Sequence, residues 1–242
     1  MKEVVMVTGA SRGIGYAVAE RFAKEGYSLV ITASKSAEEL EAAKKRLAQY
    51  TGMVLSFLAD AGDYMQTEAV IREVTCRLGE IGILVNNAGI AWIGLFQDMD
   101  HLEYEKVVQT NLLSVMHSCR LVIPGMIRRK AGKIINISSV WGNVGASCEA
   151  VYSAAKSGIN GFTRALGKEL APSQIQVNSI ACGAIDTQMN ECLTLEEREQ
   201  LTEQIPAGRF GRAEEVAELV YQIATGHTYL NGQVIALDGG WI

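Results

Sequence analysis

Tyr152 and Lys156 are four residues apart, a spacing that puts two side chains on the same face of a helix. A tyrosine phenol has a pKa of about 10, so it exchanges protons poorly at neutral pH unless a nearby cation stabilises the phenolate. The spacing therefore predicts that Lys156 lowers the pKa of Tyr152. The same spacing also arises by chance as a solvated surface pair, so the prediction needs support from other motifs.

Hydroxyl and amide side chains elsewhere in the chain give that support. Asn86-Asn87-Ala88-Gly89 and Ser138-Ser139 each end an apolar run, and Asn111 lies in a predicted helix between them. Hydride addition to a ketone places negative charge on oxygen, so it needs a donor to polarise the carbonyl and an acid to supply a proton. Ser139 and Tyr152 carry hydroxyls for these tasks. Ser138 has the same chemistry, and Ser139 could also form a simple strand-end turn.

Three glycines follow the first apolar run of the chain and open a helix. Gly9, Gly13 and Gly15 permit a tight turn and a close approach of the backbone to a ligand. The free N–H groups and the positive dipole at a helix N-terminus suit a pyrophosphate. The motif predicts a dinucleotide site, and the alternative is a tight strand-to-helix turn without a ligand.

The elements that position these residues alternate between short apolar runs and longer amphipathic segments, which predicts a parallel sheet with helices on both faces. One doubly wound Rossmann domain, α/β in class and spanning residues 1–242, is the simplest arrangement. Capping-box spacings at Ser36–Glu39 and Asp100–Glu103 mark two helix starts, and Gly26 and Gly79 mark two helix ends. The predicted strands are Val4–Val7, Ser28–Thr32, Met53–Ala59, Ile83–Asn86, Lys133–Ser138, Gln176–Ala181 and Gln233–Leu237.

Composition excludes several other classes of protein. The 242 residues carry a net charge of −5 and no basic stripe, which argues against a nucleic-acid partner. No apolar stretch is long enough to span a membrane, and the start of the chain leaves no room for a signal peptide, so a cytoplasmic location is expected. Three scattered histidines argue against a metal site. The cysteines, without a Cys-x-x-Cys pair, are predicted to be reduced thiols: Cys76, Cys119, Cys148, Cys182 and Cys192.

The combination of these motifs resembles the short-chain dehydrogenase/reductase family over nearly the whole chain. The glycine spacing Gly-x-x-x-Gly-x-Gly and the separation of Ser139 from Tyr152 both fit the family. The resemblance implies a dinucleotide-dependent carbonyl reductase in which Tyr152 is the acid and Ser139 stabilises the developing alkoxide. Lys156 would lower the pKa of Tyr152 and hold the nicotinamide ribose, and Asn111 would hold a water for proton relay. A non-catalytic dinucleotide sensor is the alternative from another class.

The cofactor is predicted to be NADP(H) rather than NAD(H). The second strand ends in Thr32-Ala33-Ser34-Lys35, without the carboxylate that would bind a ribose 2′-hydroxyl, and Arg12, Ser34 and Lys35 could pair with a 2′-phosphate. Arg12 and Lys35 could instead be solvated surface charges. With the resemblance, the expected cofactor contacts are Gly9, Ser11, Arg12, Gly13, Ile14, Gly15, Ser34, Lys35, Asp60, Ala61, Asn87, Ala88, Gly89, Tyr152, Lys156, Gly183, Ile185 and Thr187.

The resemblance leaves the ketone substrate open. The segments 207–211 and 238–240 resemble 3-oxoacyl-acyl carrier protein reductases of fatty acid biosynthesis, for which Arg128-Arg129-Lys130 could dock an acidic carrier or be the basic end of a helix. The segment 141–149 is similar to reductases of a 5-aminopentanone group on a lysine of elongation factor P. Glu149 could then attract the substrate amine, or be a solvated carboxylate at a helix start.

Three further expectations concern a lid, a cysteine beside the site and the oligomeric state. Residues 183–211, with a capped helix at Thr194, could form a substrate lid or a static surface helix. Cys182 replaces the usual proline of the family, either as a filler or as a reactive thiol. The resemblance also implies a homotetramer built on the helices that carry Asn111 and Tyr152 and on the C-terminal strand, which ends in Trp241-Ile242.

Overall fold

Apolar runs form a seven-stranded parallel sheet in the computed structural model, which describes residues 2–190 and 193–242. In chain order the strands are β1 Val4–Val7, β2 Ser28–Ala33, β3 Val54–Leu58, β4 Ile81–Asn86, β5 Gly132–Ser139, β6 Ile175–Cys182, the two-residue strands β7 Ile185–Asp186 and β8 Gly211–Arg212, and β9 Val234–Leu237. The sheet has the order β3-β2-β1-β4-β5-β6-β9, and β7 pairs separately with β8. The predicted strands begin and end within two residues of those observed, which confirms the fold. The prediction for Cys192 lies outside the described residues.

Helices cover both faces of the sheet. They are α1 Gly13–Lys24, α2 Ala37–Leu47, α3 Tyr64–Leu78, α4 His101–Val108, α5 Ser114–Arg129, the single turn α6 Trp141–Val144, α7 Ala150–Leu170, α8 Leu195–Gln204 and α9 Ala213–Gly226. Val5 and Val7 of β1 pack against α1, α2 and α9, whereas Val4 and Met6 pack against α3, α5 and α7. Successive strand residues point to opposite faces, so one strand contributes to both cores.

The predicted helix caps were largely confirmed. Asp100 and Thr194 each complete a capping box with the glutamate three residues later. At Ser36 only half of the box forms, because the hydroxyl accepts the N–H of Glu39 while the carboxylate of Glu39 turns to Arg12 instead. In the part of the chain described here, no helix is both long and apolar enough to cross a bilayer.

The sheet order creates a crevice where the chain changes direction. From β1 the chain winds outward through β2 and β3, then returns to β4 on the other side of β1 and continues to β5 and β6. The loops after β1 and β4 therefore diverge at the carboxyl ends of their strands, where α/β sheets bind ligands. The glycine motif follows β1, and Asn87-Ala88-Gly89 follows β4.

Candidate active site

The fold brings Ser139, Tyr152 and Lys156 together at the carboxyl end of β5. Ser139 ends that strand and pairs with Cys182 at the end of β6, while α7, which carries Tyr152 and Lys156, packs over both strands. The side chain of Ser139 lies close enough to Tyr152 to lower the pKa of its phenol, and its Oγ accepts the backbone N–H of Trp141 at 3.2 Å. Ser138 donates instead to the backbone carbonyl of Lys156 at 3.3 Å. The geometry therefore favours Ser139 over Ser138 as the partner of Tyr152.

Lys156 is buried against the ring face of Tyr152. Its Nζ donates to the carbonyl oxygen of Ile137 at 2.8 Å and lies 5.5 Å from the centroid of the Tyr152 ring. Burial lowers the pKa of Lys156 to about 8. The ammonium thus sits over the ring face while one of its protons is bound to the backbone.

The pKa of Tyr152 differs in direction from the prediction. Burial raises it well above its ordinary value, and the carboxylate of Glu149 adds to the rise. Only the side chain of Ser139 lowers it appreciably. The expectation that Lys156 lowers this pKa was therefore wrong for the protein without a ligand, because Lys156 faces the ring and is itself desolvated. Tyr152 keeps its proton at neutral pH, as a proton donor must.

Asn111 lies in a π-helical turn, Gln109–Leu113, between α4 and α5. Its Nδ2 donates to the carbonyl oxygens of Ile90 at 2.8 Å and Val107 at 3.0 Å, and its Oδ1 accepts the N–H of Ile90 at 3.1 Å. Both amide protons are therefore committed to the backbone, so the side chain anchors the segment after β4. That Asn111 holds a water stays a prediction. The backbone groups of the π-turn, where the helical hydrogen-bond pattern is interrupted, offer a second way to bind that water.

A large cleft of about 690 Å³ opens at the crevice between the loops after β1 and β4. Gly15, Gly183, Ile185, Tyr152 and Lys156 do not line it. The cofactor residues predicted from the sequence that do line it are Gly9, Ser11, Arg12, Gly13, Ile14, Ser34, Lys35, Asp60, Ala61, Asn87, Ala88, Gly89 and Thr187.

The predicted cofactor residues that do not line the cleft serve packing or lie at its edge. A Cβ atom on Gly15 would lie 2.5 Å from Nδ2 of Asn87, and one on Gly183 would lie 2.8 Å from Cα of Asp238, so both glycines serve close packing. Ile185 is buried in β7. Lys156 reaches the cleft edge, because its Nζ lies 3.8 Å from where a Cβ atom on Gly89 would stand.

The cleft has the features expected of a dinucleotide site. Gly13 has φ of +56°, a conformation that favours glycine, and an added Cβ would make ordinary contact with Thr187 at 3.6 Å. Asn87 donates to the carbonyls of Thr8 and Gly9 at 3.0 and 2.9 Å, which holds the glycine turn against β4. The hydroxyl oxygen of Thr110, on the cleft wall, is buried without a hydrogen-bond partner in the described chain. A polar ligand would satisfy it.

Two of the predicted cofactor residues, Asp60 and Arg12, already have charged partners. The carboxylate of Asp60 accepts the Nζ of Lys106 at 2.6 Å and the N–H of Gly62 at 2.9 Å. Arg12 donates to both carboxylate oxygens of Glu39, at 2.8 and 3.1 Å. The end of β2 carries no carboxylate, as predicted, but Glu39 reaches Arg12 and the cleft wall from the first turn of α2.

Aromatic side chains and one carboxylate surround Tyr152 on the side away from the sheet. Glu149 begins α7 but makes no capping bond; burial raises its pKa, and the nearby indole of Trp141 partly offsets the rise. It is therefore not the solvated helix-start carboxylate. Trp241, near the chain end, packs on Trp141 with ring centroids 4.8 Å apart. A cavity of about 10 Å³ between Trp92 and Tyr152 is about the size of one water molecule.

Cys182 lies beside this centre as expected. Its side chain is buried, and burial raises its pKa to about 12, against the opposing influence of Lys156. A protonated, inaccessible thiol is a poor nucleophile. These properties favour the filler role over the reactive one.

The basic run Arg128-Arg129-Lys130 lies at the opposite edge of the sheet. Arg128 pairs with Glu80, and Arg129 donates to the carbonyl of Ile81 at 2.8 Å, both at the start of β4. The length of β5 separates this run from Ser139 by roughly 20–25 Å. The run therefore lies at the basic end of α5, and its docking of an acidic carrier stays a prediction.

Sequence reasoning missed four residues near the site. Glu39 was taken for a helix-capping residue, and Trp241 for part of a subunit contact. Trp92 and Thr110 carry no spacing signal, although Thr110 directly precedes Asn111. The adjacency of Thr110 to Asn111 is therefore the one sequence signal that could have identified any of these four residues.

Comparisons with known proteins agree with this geometry. A family model described as short chain dehydrogenase matches residues 3–198. The chain is 38 % identical over 241 residues to the 3-oxoacyl-[acyl-carrier-protein] reductase FabG of Thermotoga maritima, covering 99 % of this chain and 98 % of the relative. It is 35 % identical over 242 residues to the uncharacterized oxidoreductase YmfI of Bacillus subtilis, covering 100 % and 99 %. With its parallel sheet and its Ser139, Tyr152 and Lys156 in contact, this chain belongs to the short-chain dehydrogenase family.

Proposed function

We propose that this protein reduces a ketone to a secondary alcohol with NADPH, and that a 3-oxoacyl group on an acyl carrier protein, an intermediate of fatty acid biosynthesis, is the first candidate substrate. The observation that carries the proposal is the contact of a protonated Tyr152 with Ser139 above a buried Lys156. The activity named for relatives such as the Thermotoga maritima 3-oxoacyl-[acyl-carrier-protein] reductase supports this substrate. With all three side chains in place, a purely sensory role for the dinucleotide is the weaker alternative.

In the proposed mechanism, Ser139, Tyr152 and Lys156 each have a separate role in ketone reduction. When bound, the dinucleotide supplies the hydride that adds to the carbonyl carbon. Ser139 donates a hydrogen bond to the carbonyl oxygen, which stabilises the negative charge that develops there. Tyr152 then transfers its phenolic proton to that oxygen. Lys156, at the cleft edge beside Gly89, would hold the ribose of the dinucleotide.

The preference for NADPH rests on Arg12, Ser34 and Lys35, which line one end of the cleft. The N–H of Ala10 donates to the carbonyl of Thr32 at 2.9 Å, so the glycine turn and the end of β2 are adjacent. Two cations next to each other suit a 2′-phosphate, which carries about −1.5 to −2 charges. Glu39 acts against this preference.

A second candidate substrate is the 5-aminopentanone group on a modified lysine of elongation factor P. The observation that favours it is Glu149, whose half-buried carboxylate lies near Tyr152 and points away from its own helix end. A cationic amine next to the ketone would neutralise this carboxylate. A neutral acyl chain would leave it with only the nearby indole of Trp141.

We also propose that residues 183–211 form a lid and that the protein is a homotetramer. Thr187 lines the cleft, whereas α8 buries none of its residues against the rest of the chain, and Leu195 is 83 % exposed. An element with so little packing can move as a unit. Light scattering tests the tetramer, and a change in protease cleavage at α8 on adding NADPH tests the lid.

The decisive experiment measures NADPH oxidation with acetoacetyl-acyl carrier protein and, separately, with elongation factor P bearing the ketone. Tyr152→Phe is the control, expected to lower kcat by about 10²–10⁴ while NADPH still binds. Turnover of the carrier-bound ketone alone supports the first candidate, and turnover of the modified factor alone supports the second. Failure of both, with NADPH bound normally, would reject both substrates.

A further inference from the structure

Glu39 and Arg12 form an ion pair on the wall of the cleft. The two side chains are 42 % and 57 % exposed, so the pair contributes little to folding stability. Its position matters more than its strength, because Arg12 is the residue that opens α1 from the glycine turn. A cation at this position faces the end of the cleft that Lys35 and Ser34 also line.

The local structure of α2 directs Glu39 to this position. Ser36 caps the helix by accepting the N–H of Glu39 at 3.1 Å. In a full capping box the glutamate would return this bond to the backbone of Ser36. Here the carboxylate of Glu39 binds Arg12 at 2.8 Å and does not return a bond to Ser36. Glu38, the preceding residue, does not line the cleft.

The charges at this end of the cleft therefore partly cancel. Arg12 and Lys35 contribute two positive charges, and Glu39 removes one. A 2′-phosphate entering the cleft must displace Glu39 from Nη1 of Arg12, which donates to both carboxylate oxygens, and must lie close to a carboxylate of like charge. A ribose with a free 2′-hydroxyl meets neither obstacle.

We propose that Glu39 is a specificity-determining residue that competes with the 2′-phosphate for Arg12 and so reduces the preference for NADPH over NADH. The proposal rests on the proposed function for the identity of the ligand. It adds Glu39 as a residue that weakens the preference for NADPH. Replacing Glu39 with a neutral isostere should release Arg12 and strengthen discrimination in favour of the 2′-phosphate.

The test is isothermal titration calorimetry with two probes that differ only in the 2′-phosphate, adenosine 2′,5′-bisphosphate and adenosine 5′-monophosphate. For Glu39→Gln, binding of the bisphosphate should tighten roughly tenfold, and binding of the monophosphate should change less than about twofold. Glu38→Gln is the matched control, since it removes the same charge from the same helix turn outside the cleft. It should change neither affinity.

A second variant separates competition for Arg12 from general charge repulsion. In an Arg12→Gln background, Glu39→Gln should tighten the bisphosphate much less, because no partner remains to release. An equal gain in both backgrounds, or an equal effect of Glu38→Gln, would overturn the proposal. If the wild type binds both probes equally, the preference for NADPH fails, but a rise in the ratio for Glu39→Gln alone would still support the role of Glu39.

Discussion

At the scale of single residues, burial controls which groups in the site carry a proton. Lys156 and Cys182 are buried and Tyr152 is partly buried beside them, and in each case burial favours the neutral form. Glu149 is the nearby group that adds a negative charge, and it opposes formation of the phenolate on Tyr152. The proton donor is therefore maintained by its surroundings before any ligand binds.

Replacing Glu149 with glutamine should lower the pKa of Tyr152, because the carboxylate that raises it would be gone. Ketone reduction needs the protonated phenol, so the alkaline fall in kcat/KM should move to lower pH in Glu149→Gln. Alcohol oxidation needs the phenolate, so its rise should also begin at lower pH. Full pH profiles of kcat/KM in both directions measure this. Profiles that overlay the wild type would show that Glu149 does not act on Tyr152.

At the scale of elements, close backbone packing fixes the glycine turn between β1 and α1. A Cβ atom on Gly15 would lie 2.4 Å from the carbonyl oxygen of Gly9 and 2.5 Å from Nδ2 of Asn87. These neighbours are backbone and a side chain whose amide protons are already bonded. The helix must therefore approach the turn closely for the cleft to keep its shape.

Gly15→Ala should therefore push α1 away from the turn and lower the free energy of unfolding by about 1–3 kcal/mol, as overpacking usually does. Dinucleotide affinity should fall with it. Gly226→Ala is a matched control at the end of α9, where an added Cβ would meet no atom within 4 Å. Urea denaturation of both variants measures the difference. Equal stability of the two would mean that α1 has room to adjust.

At the scale of the whole molecule, the buried ammonium of Lys156 links folding to pH. Its pKa falls from 10.5 to about 8 in the folded protein, so the unfolded chain binds more protons between these values and stability rises with pH across that window. Below pH 8 the folded protein bears the full cost of the buried charge, about 3 kcal/mol.

Lys156→Met should abolish this dependence on pH. The free energy of unfolding of the wild type should rise relative to that of the variant between pH 8 and 10.5, and the difference should level off below pH 8. Denaturation at several pH values measures the slope. Because the variant also loses the bond to Ile137, the slope and not the absolute difference is the test. Parallel curves for the two proteins would contradict it.

The sequence allowed the sheet and the grouping of Ser139, Tyr152 and Lys156 to be predicted because both depend on local spacing. The seven apolar runs and the four-residue step from Tyr152 to Lys156 are visible without tertiary contacts. The electrostatic state of Tyr152 was not predictable, since it depends on burial and on a carboxylate whose direction only the fold decides. Glu39 was misread for the same reason, because its spacing from Ser36 predicted a local bond and tertiary contact redirected it.

The packing of Trp241 on Trp141 has a practical consequence for handling the protein. Ile242 follows Trp241 directly, and its N–H and that of Gly240 are held by the carboxylate of Asp238 at 3.0 Å each. Affinity tags fused after Ile242 would pull on the aromatic wall beside Glu149. Because β1 begins at Val4, at the amino edge of the sheet, a tag at the start of the chain would stay far from Tyr152 and is the better choice for purification.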